Sequence, residues 1–445
     1  MANGLTLQLG HWLADLTPAQ LPAGADAMVR RGMVDCQGVL LAGRREPVVA
    51  QALTLLTPHA VPGPGRSSLL ADEGWAAPGD AAFVNSVAAH ALDYDDTGLD
   101  GHPSVVLAPV VRALQQAHPD AGRDPVCAYV AGFEVWGELI GRDADKHHGK
   151  GWHPTAVFGC VAAAAAAAWM RRLPATQCAH ALGLAASMAG GLVANFGSMA
   201  KPLQVGLAVR NGMLAAQLAS QGVTASDDAL ENPRGFLAAL SPRGRVRLDG
   251  PCEAATRWRI LEQGVSIKRY PVCYAVHRAV DAALTLAPAL QRETVAIAQV
   301  RLRLGHLQAA MLRYAQPLRG LDAKFSAQYA IACALQRGRL GLADLTDNAV
   351  RDPLLQALMP RIAVATTEDM DPQDPLFSVQ DHLEVELADG RVQVAEPVRR
   401  AKGHASRPLD TPELQAKFID CASQTLEPSA AHAWWQRMQQ ELASA

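Results

Sequence analysis

Residues 162–168 are seven consecutive alanines, and no other stretch narrows the fold so far. Alanine is the best helix former because it has no side-chain entropy to lose. A helix over 156–171 therefore presents almost no side-chain bulk, and its neighbours must approach it closely. Hydrophobic residues make up 49% of the chain and aromatics only 5%, so Ala, Leu and Val fill the core. The pattern predicts a bundle of tightly packed helices.

Further helices are expected at 27–42, 80–92, 103–116, 126–140, 176–189 and 205–220. The helix at 80–92 has an acidic N-cap candidate, Asp80, and the helix at 126–140 has Asp124 followed by Pro125. After Gly264 the texture changes. Segments 295–304 and 382–394 alternate apolar and polar residues, and Asp389-Gly390 marks a two-residue hairpin turn. Helical patterns at 274–284, 323–335 and 348–358 lie between them. From Thr411, read as a cap, helices return over 412–426 and 430–443. The expected class is mainly α: a large all-helical domain from both chain ends, 1–264 and 405–445, and a smaller α+β domain over 265–404. A chain of 445 residues has room for two or three domains.

Forty Lys and Arg against 43 Asp and Glu leave a net charge of −3. That balance excludes a basic nucleic-acid binder and an acidic disordered chain as the dominant character. Eight cysteines are scattered without a Cys-x-x-Cys pair, as expected of reduced thiols in the cytoplasm. Residues 1–15 lack the basic and apolar regions of a signal peptide. The uncharged stretch 181–200 has spanning length, but its Ala, Gly and Asn content predicts a buried helix and turn, with no membrane partner.

Five polar clusters interrupt this apolar background. The first holds His90, Asp93, Asp95, Asp96 and Thr97 at the end of a helix, followed by His102-Pro103-Ser104. Acidic groups at a helix C-terminus oppose the macrodipole, so they require a local reason. His102 stands at the entrance of the next helix, where an anion also gains from free N–H groups. The second is Trp152-His153-Pro154, again a histidine entering an apolar helix. Lys201 closes the uncharged stretch and must reach solvent or an anion. Lys268, Arg269, Tyr270 and Cys273, with His277 beyond, lie at the domain junction, where small-molecule clefts usually form. Arg313, Tyr314 and Lys324 form the fifth cluster, for which the bland reading is a helix surface.

No Walker loop, nucleophile elbow or dinucleotide fingerprint occurs, and 62–67 resembles a phosphate loop only in its glycines. No motif has metal-ligand spacing, so no metal is expected. Lysines and histidines with a carboxylate suit a small polycarboxylate, because the same cations stabilise a carbanion forming beside a carboxyl group.

These motifs, 90–97 with 102–104, 151–159, 201–203, 268–271 and 323–329, together resemble the MmgE/PrpD family from about residue 5 to about residue 440. That family includes decarboxylases, dehydratases and epimerases of small carboxylates. The resemblance implies a large helical domain with a smaller lid, a homodimer, an interdomain active site, and no required metal or organic cofactor. Matched by motif, Asp93, His102, His153 and Tyr314 are the catalytic candidates. Lys201, Lys268, Thr97 and His277 are the substrate-binding candidates. Cys273 departs from the histidine of the decarboxylase branch.

The leading expectation is a cofactor-independent lyase, a dehydratase or decarboxylase of a di- or tricarboxylate, in which His102, oriented by Asp93, transfers the proton. The alternative is an epimerase or isomerase using the same pocket with two proton-transferring groups. A magnesium-dependent prenyl enzyme, suggested by Asp95-Asp96, lacks the aromatic walls that such a pocket needs. A non-enzymatic helical scaffold would scatter these side chains over separate surfaces.

Overall fold

A computed structural model describes residues 4–70, 74–254 and 256–443. Helices account for 54% and strands for 11%, a mainly α protein. The chain divides into two compact units, Met1–Ser266 with Leu414–Ala445, and Ile267–Glu413.

The alanine run lies in the helix Pro154–Met170, every residue of which is buried. The helices Pro125–Ile140 and Ala200–Ser220 pack on it, and each brings a glycine to the contact. A Cβ on Gly132 would lie 2.8 Å from Ala162 O, and one on Gly212 would lie 2.3 Å from Cys160 O. Ala200–Ser220 also packs on Pro78–His90, where a Cβ on Gly206 would meet Phe83 O at 2.8 Å. Small residues thus let these four helix backbones close on one another in pairs, the spacing implied by the composition.

The chain's C-terminal end contributes to this unit. Lys417 Nζ lies 2.5 Å from Asp35 Oδ1 in the helix Ala25–Gly43, donates to Tyr94 O at 3.0 Å and stands over the Tyr94 ring. The unit is not all-helical as expected, because Ser67–Leu69 pairs antiparallel with Gly74–Ala76. Among the described residues no helix is long and apolar enough to cross a membrane. The stretch 181–200 divides instead: the helix Ala175–Met188 buries its apolar face, while Leu192, Phe196 and Met199 are exposed. The expectation of a buried segment fails there, although the N–H groups of Val193, Asn195 and Phe196 find backbone partners.

In the second unit, Ile362–Thr367, Ile297–Gly305, His382–Leu387 and Val392–Val394 form one sheet in that order. The first pair is parallel and the others antiparallel. The helices His277–Leu290 and Ala327–Arg337 share its apolar core.

Local chemistry corrects several details. Pro78 takes the first helical position after an Ala77 cap, leaving Asp80 in the first turn. Asp124 does cap Pro125–Ile140, accepting from the N–H groups of Val126 and Cys127. At the C-terminal helix Thr411–Ala422 the cap is Asp410, not Thr411: Asp410 Oδ1 accepts from the Glu413 N–H, and Glu413 Oε2 accepts from the Asp410 N–H, both at 2.9 Å. That reciprocal box satisfies two N–H groups at once. The pattern at 348–358 breaks into Asp347–Val350 and Pro353–Leu358 because Pro353 cannot continue a helix. The hairpin loop has three residues, Ala388 to Gly390, since the Gly390 N–H returns to Leu387 O and Gly390 takes φ 87°. A turn closed by a left-handed glycine replaces the two-residue turn expected.

The helix spacing is directly testable. Gly212→Ala is expected to destabilise the protein by about 1–3 kcal/mol, the cost of overpacking, seen as a lowered midpoint in urea unfolding. An unchanged midpoint would mean that the helices have slack at this contact.

Candidate active site

The tight helix contacts place three helix ends beside one another. His90 ends Pro78–His90, His153 caps Pro154–Met170, and Lys201 and Gln204 open Ala200–Ser220. The fourth contributor is the loop from His90 to the helix Ser104–Ala117. Its backbone is strained: Asp93, Leu99 and Asp100 have φ of 53°, 51° and 56°, a left-handed conformation rare outside glycine. Backbone pairs between Gly98 and Gly101 and between Thr97 and Ser266 hold it there. Asp96 ties the loop to the helix start: its Oδ1 accepts from the Ser104 N–H at 3.2 Å and its Oδ2 shares a hydrogen bond with the Ser104 hydroxyl, which also meets the Tyr129 hydroxyl at 2.7 Å.

His102 Nδ1 lies 2.7 Å from Asp96 O and 2.9 Å from Asp95 Oδ2. A carbonyl oxygen only accepts, so Nδ1 carries the proton and Nε2 is left for chemistry. Nε2 is 3.8 Å from Asp93 Oδ1, and that same oxygen is 2.7 Å from Lys201 Nζ. The carboxylate at Nδ1 is therefore Asp95, correcting the expectation that Asp93 orients the ring; Asp93 faces the reacting edge. Lys201 meets an anion, as its position demanded, and that anion is Asp93. His90 Nδ1 also lies 2.9 Å from Asp95 Oδ2. His153 Nδ1 faces Gln204 Oε1 at 2.9 Å, while Gln204 Nε2 donates to Leu192 O and so fixes the amide orientation. The His90 ring centroid is 4.7 Å from that of His102 and 5.9 Å from that of His153.

Burial sets the charge states. Desolvation pushes His90 down to about 4 despite Asp95, with Lys201 and His102 opposing its charge. His153 falls to about 2 for the same first reason, with His90 and Lys201 adding to it. Burial alone would raise Asp95, but His90 and His102 outweigh it and hold the carboxyl well below its ordinary range. Asp96 is raised to about 8 by burial, against its Ser104 bond and with Asp95 and Asp35 repelling its charge. Adjacent aspartates thus differ, Asp95 ionised and Asp96 protonated at neutral pH.

His90, Asp93, Asp95 and His102 each offer a ligand atom within 4.8 Å of the others, a metal-like grouping that the spacing in sequence concealed. Some of its atoms are already engaged, while Asp95 Oδ1 and His90 Nε2 have no hydrogen-bond partner among the described residues. The Lys201 ammonium stands on Asp93, and both histidines turn Nδ1 onto Asp95. The pair Asp95-Asp96 likewise makes no magnesium motif, since Asp96 looks back to Ser104.

The structure gathers Asp93, His102, His153 and Lys201 in the first unit, with Thr97 half-buried on the same loop. Lys268, His277 and Tyr314 belong to the second unit. There Lys268 is buried, His277 donates Nε2–H to Val272 O and lies between Tyr270 and Tyr274, and Tyr314 is 41% exposed. Cys273 donates its N–H to Lys324 O. His90, Asp95 and Gln204 were absent from the sequence-derived candidates. The first two were signalled by the acidic helix end that lacked a reason; Gln204 carried no signal.

Residues 7–249 match the MmgE/PrpD N-terminal domain and residues 270–442 the MmgE/PrpD C-terminal domain. The chain belongs to the MmgE/PrpD family. It is 31% identical to the cis-aconitate decarboxylase of Mus musculus over 364 residues, 78% of this chain and 72% of that one. It is 25% identical to the cis-aconitate decarboxylase of Aspergillus terreus over 458 aligned residues, 96% and 91% of the two chains. The 2-methylcitrate dehydratase of Cupriavidus necator is 28% identical over 384 residues, covering 80% and 77%. These relatives of the MmgE/PrpD family carry lyase names.

The Asp96 assignment has a stability signature. Unfolded Asp96 ionises near pH 4, whereas folded Asp96 keeps its proton to about 8. Between those values the unfolded chain binds fewer protons, so stability falls as pH rises. The melting temperature of Asp96→Asn relative to the unmodified protein should therefore climb from pH 5 to pH 8. A constant difference would mean that Asp96 ionises normally in the fold.

Proposed function

We propose that this MmgE/PrpD enzyme is a lyase, a decarboxylase or dehydratase, that moves a proton at a carbon next to a carboxylate of a small di- or tricarboxylate. The observation that carries the reading is His102, whose Nδ1 is fixed by acceptors while Nε2 faces the Asp93–Lys201 pair. The lyase names of the relatives support the same class.

The ion pair gives this arrangement a binding step. A substrate carboxylate competes with Asp93 for the Lys201 ammonium. Asp93 is then free to turn its charge to His102 Nε2, stabilising that nitrogen when protonated. An ammonium holding the carboxylate next to the reacting carbon also disperses the negative charge developing there. His153 stays neutral at working pH because of its burial, so it serves as an acceptor and a wall, not as a cation. No metal or organic cofactor takes part in this reading, and the homodimer implied by the family resemblance belongs to it.

Incubation of the purified protein with a panel of polycarboxylates, cis-aconitate and 2-methylcitrate included, in heavy water should yield a product that has lost carbon dioxide or water. Deuterium entering recovered substrate without either loss would instead identify an epimerase. His102→Gln, which can still donate to Asp96 O, should reduce kcat by about 10²–10⁴-fold, the usual contribution of a general acid or base. Retained turnover would remove His102 from that role. EDTA should leave turnover unchanged, because Lys201 already supplies the cation at Asp93; inactivation reversed by a divalent ion would contradict this.

A further inference from the structure

Asp95 accepts with a single oxygen from two imidazoles. Its Oδ2 lies 2.9 Å from His90 Nδ1 and 2.9 Å from His102 Nδ1, while its side chain and that of His90 are fully buried. The other oxygen, Oδ1, is buried with no hydrogen-bond partner among the described residues, and so is His90 Nε2. An ionised carboxylate with half its acceptor capacity unused is costly in a protein interior unless its charge has a function. His90 adds no second positive charge to offset it, since burial keeps that ring neutral and limits it to one donated proton.

We propose that Asp95 and His90 form a positioning pair for His102. His90 pins Oδ2 in place, and the pinned oxygen holds His102 with Nε2 as the reacting atom and balances the imidazolium formed when Nε2 takes a proton. The arrangement is asymmetric, because His102 has a second Nδ1 acceptor in Asp96 O, whereas His90 has Asp95 alone among its described hydrogen-bond partners. The tautomer of His102 is thus doubly determined, but its counter-charge at Nδ1 comes from one residue. Neither Asp95 nor His90 needs to touch substrate for this role, which rests on the assignment of His102 to proton transfer.

The other charged or titratable neighbours of His102 are distinguishable from Asp95. Asp93 lies at the Nε2 edge with Lys201 on its oxygen. His90, His148 and His153 each feel the His102 charge, and burial lowers all three. Asp96 presents a carbonyl to Nδ1 and keeps its carboxyl protonated. Asp95 is therefore the negative charge in contact with Nδ1.

Asp95→Asn isolates that charge. An asparagine can place its carbonyl oxygen where Oδ2 stands and its amide where the unpartnered Oδ1 stands, preserving both Nδ1–H bonds. Histidine-selective ¹⁵N NMR of the full chain, assigned with His90→Gln and His102→Gln, should show Nδ1 protonated in both rings of the unmodified protein and of Asp95→Asn. With cis-aconitate, or whichever panel member is turned over, kcat should fall by about 10²-fold or more while KM stays within threefold.

An unprotonated Nδ1 on either ring of the unmodified protein overturns the proposal, as does an unchanged kcat in Asp95→Asn. If the variant does not fold, the tautomers of the unmodified protein and the kcat of His90→Gln decide the question. Loss of the pin should lower kcat with KM within threefold, and no change would overturn the role of His90. Absence of turnover with any carboxylate would defeat the proposed reaction while leaving the NMR test of the positioning pair intact.

Discussion

The distance between helix backbones governs the first unit, and small residues set it. Gly206 and Gly212 lie on one helix, Ala200–Ser220. The first closes on Phe83 in the helix that ends with His90, and the second closes on Cys160 in the helix that begins after His153. Lys201 and Gln204 stand at the start of the same helix. The alanine run therefore does more than fill a core. It allows the helix ends bearing a lysine and two histidines to converge, so that Gln204 reaches His153 and Lys201 reaches Asp93 at hydrogen-bond distance.

A largely buried lysine among neutral imidazoles would be unfavourable without an anion beside it. The loop from His90 to Ser104 supplies that anion, and its strained residues at Asp93, Leu99 and Asp100 mark the cost of presenting carboxylates in three different directions. Asp93 turns to Lys201, Asp95 to the two imidazoles and Asp96 to Ser104. Each carboxyl thereby takes a different electrostatic role despite near-identity in sequence. Asp96, protonated at neutral pH, belongs to the scaffold, and Asp95, ionised, is the carboxylate that the two imidazoles share.

Much of this was legible beforehand, for physical reasons. Helical periodicity and the Asp124-Pro125 start were readable because capping and packing of a helix depend on residues close in sequence. The anion required by Lys201 was also readable, since a lysine after a long uncharged stretch has few ways to be stable. What escaped was set by contacts distant in sequence or by backbone conformation. The partner of Gln204 lies 51 residues away, Asp410 displaces Thr411 as cap through a reciprocal bond with Glu413, and Gly390 adds a residue to the hairpin loop through its positive φ. Asp95 was half-visible: an acidic helix end asked for an explanation, but which of three aspartates met the histidines depended on the left-handed turn at Asp93.

In the proposed binding step Lys201 exchanges Asp93 for a substrate carboxylate beside His102 Nε2. A crystal structure with propane-1,2,3-tricarboxylate, an unreactive tricarboxylate, puts that exchange to the test. The expected result is one ligand carboxylate within hydrogen-bond distance of Lys201 Nζ, Asp93 displaced toward His102, and a neighbouring ligand carbon facing Nε2. A ligand bound away from these residues, with the Asp93–Lys201 pair intact, would contradict it.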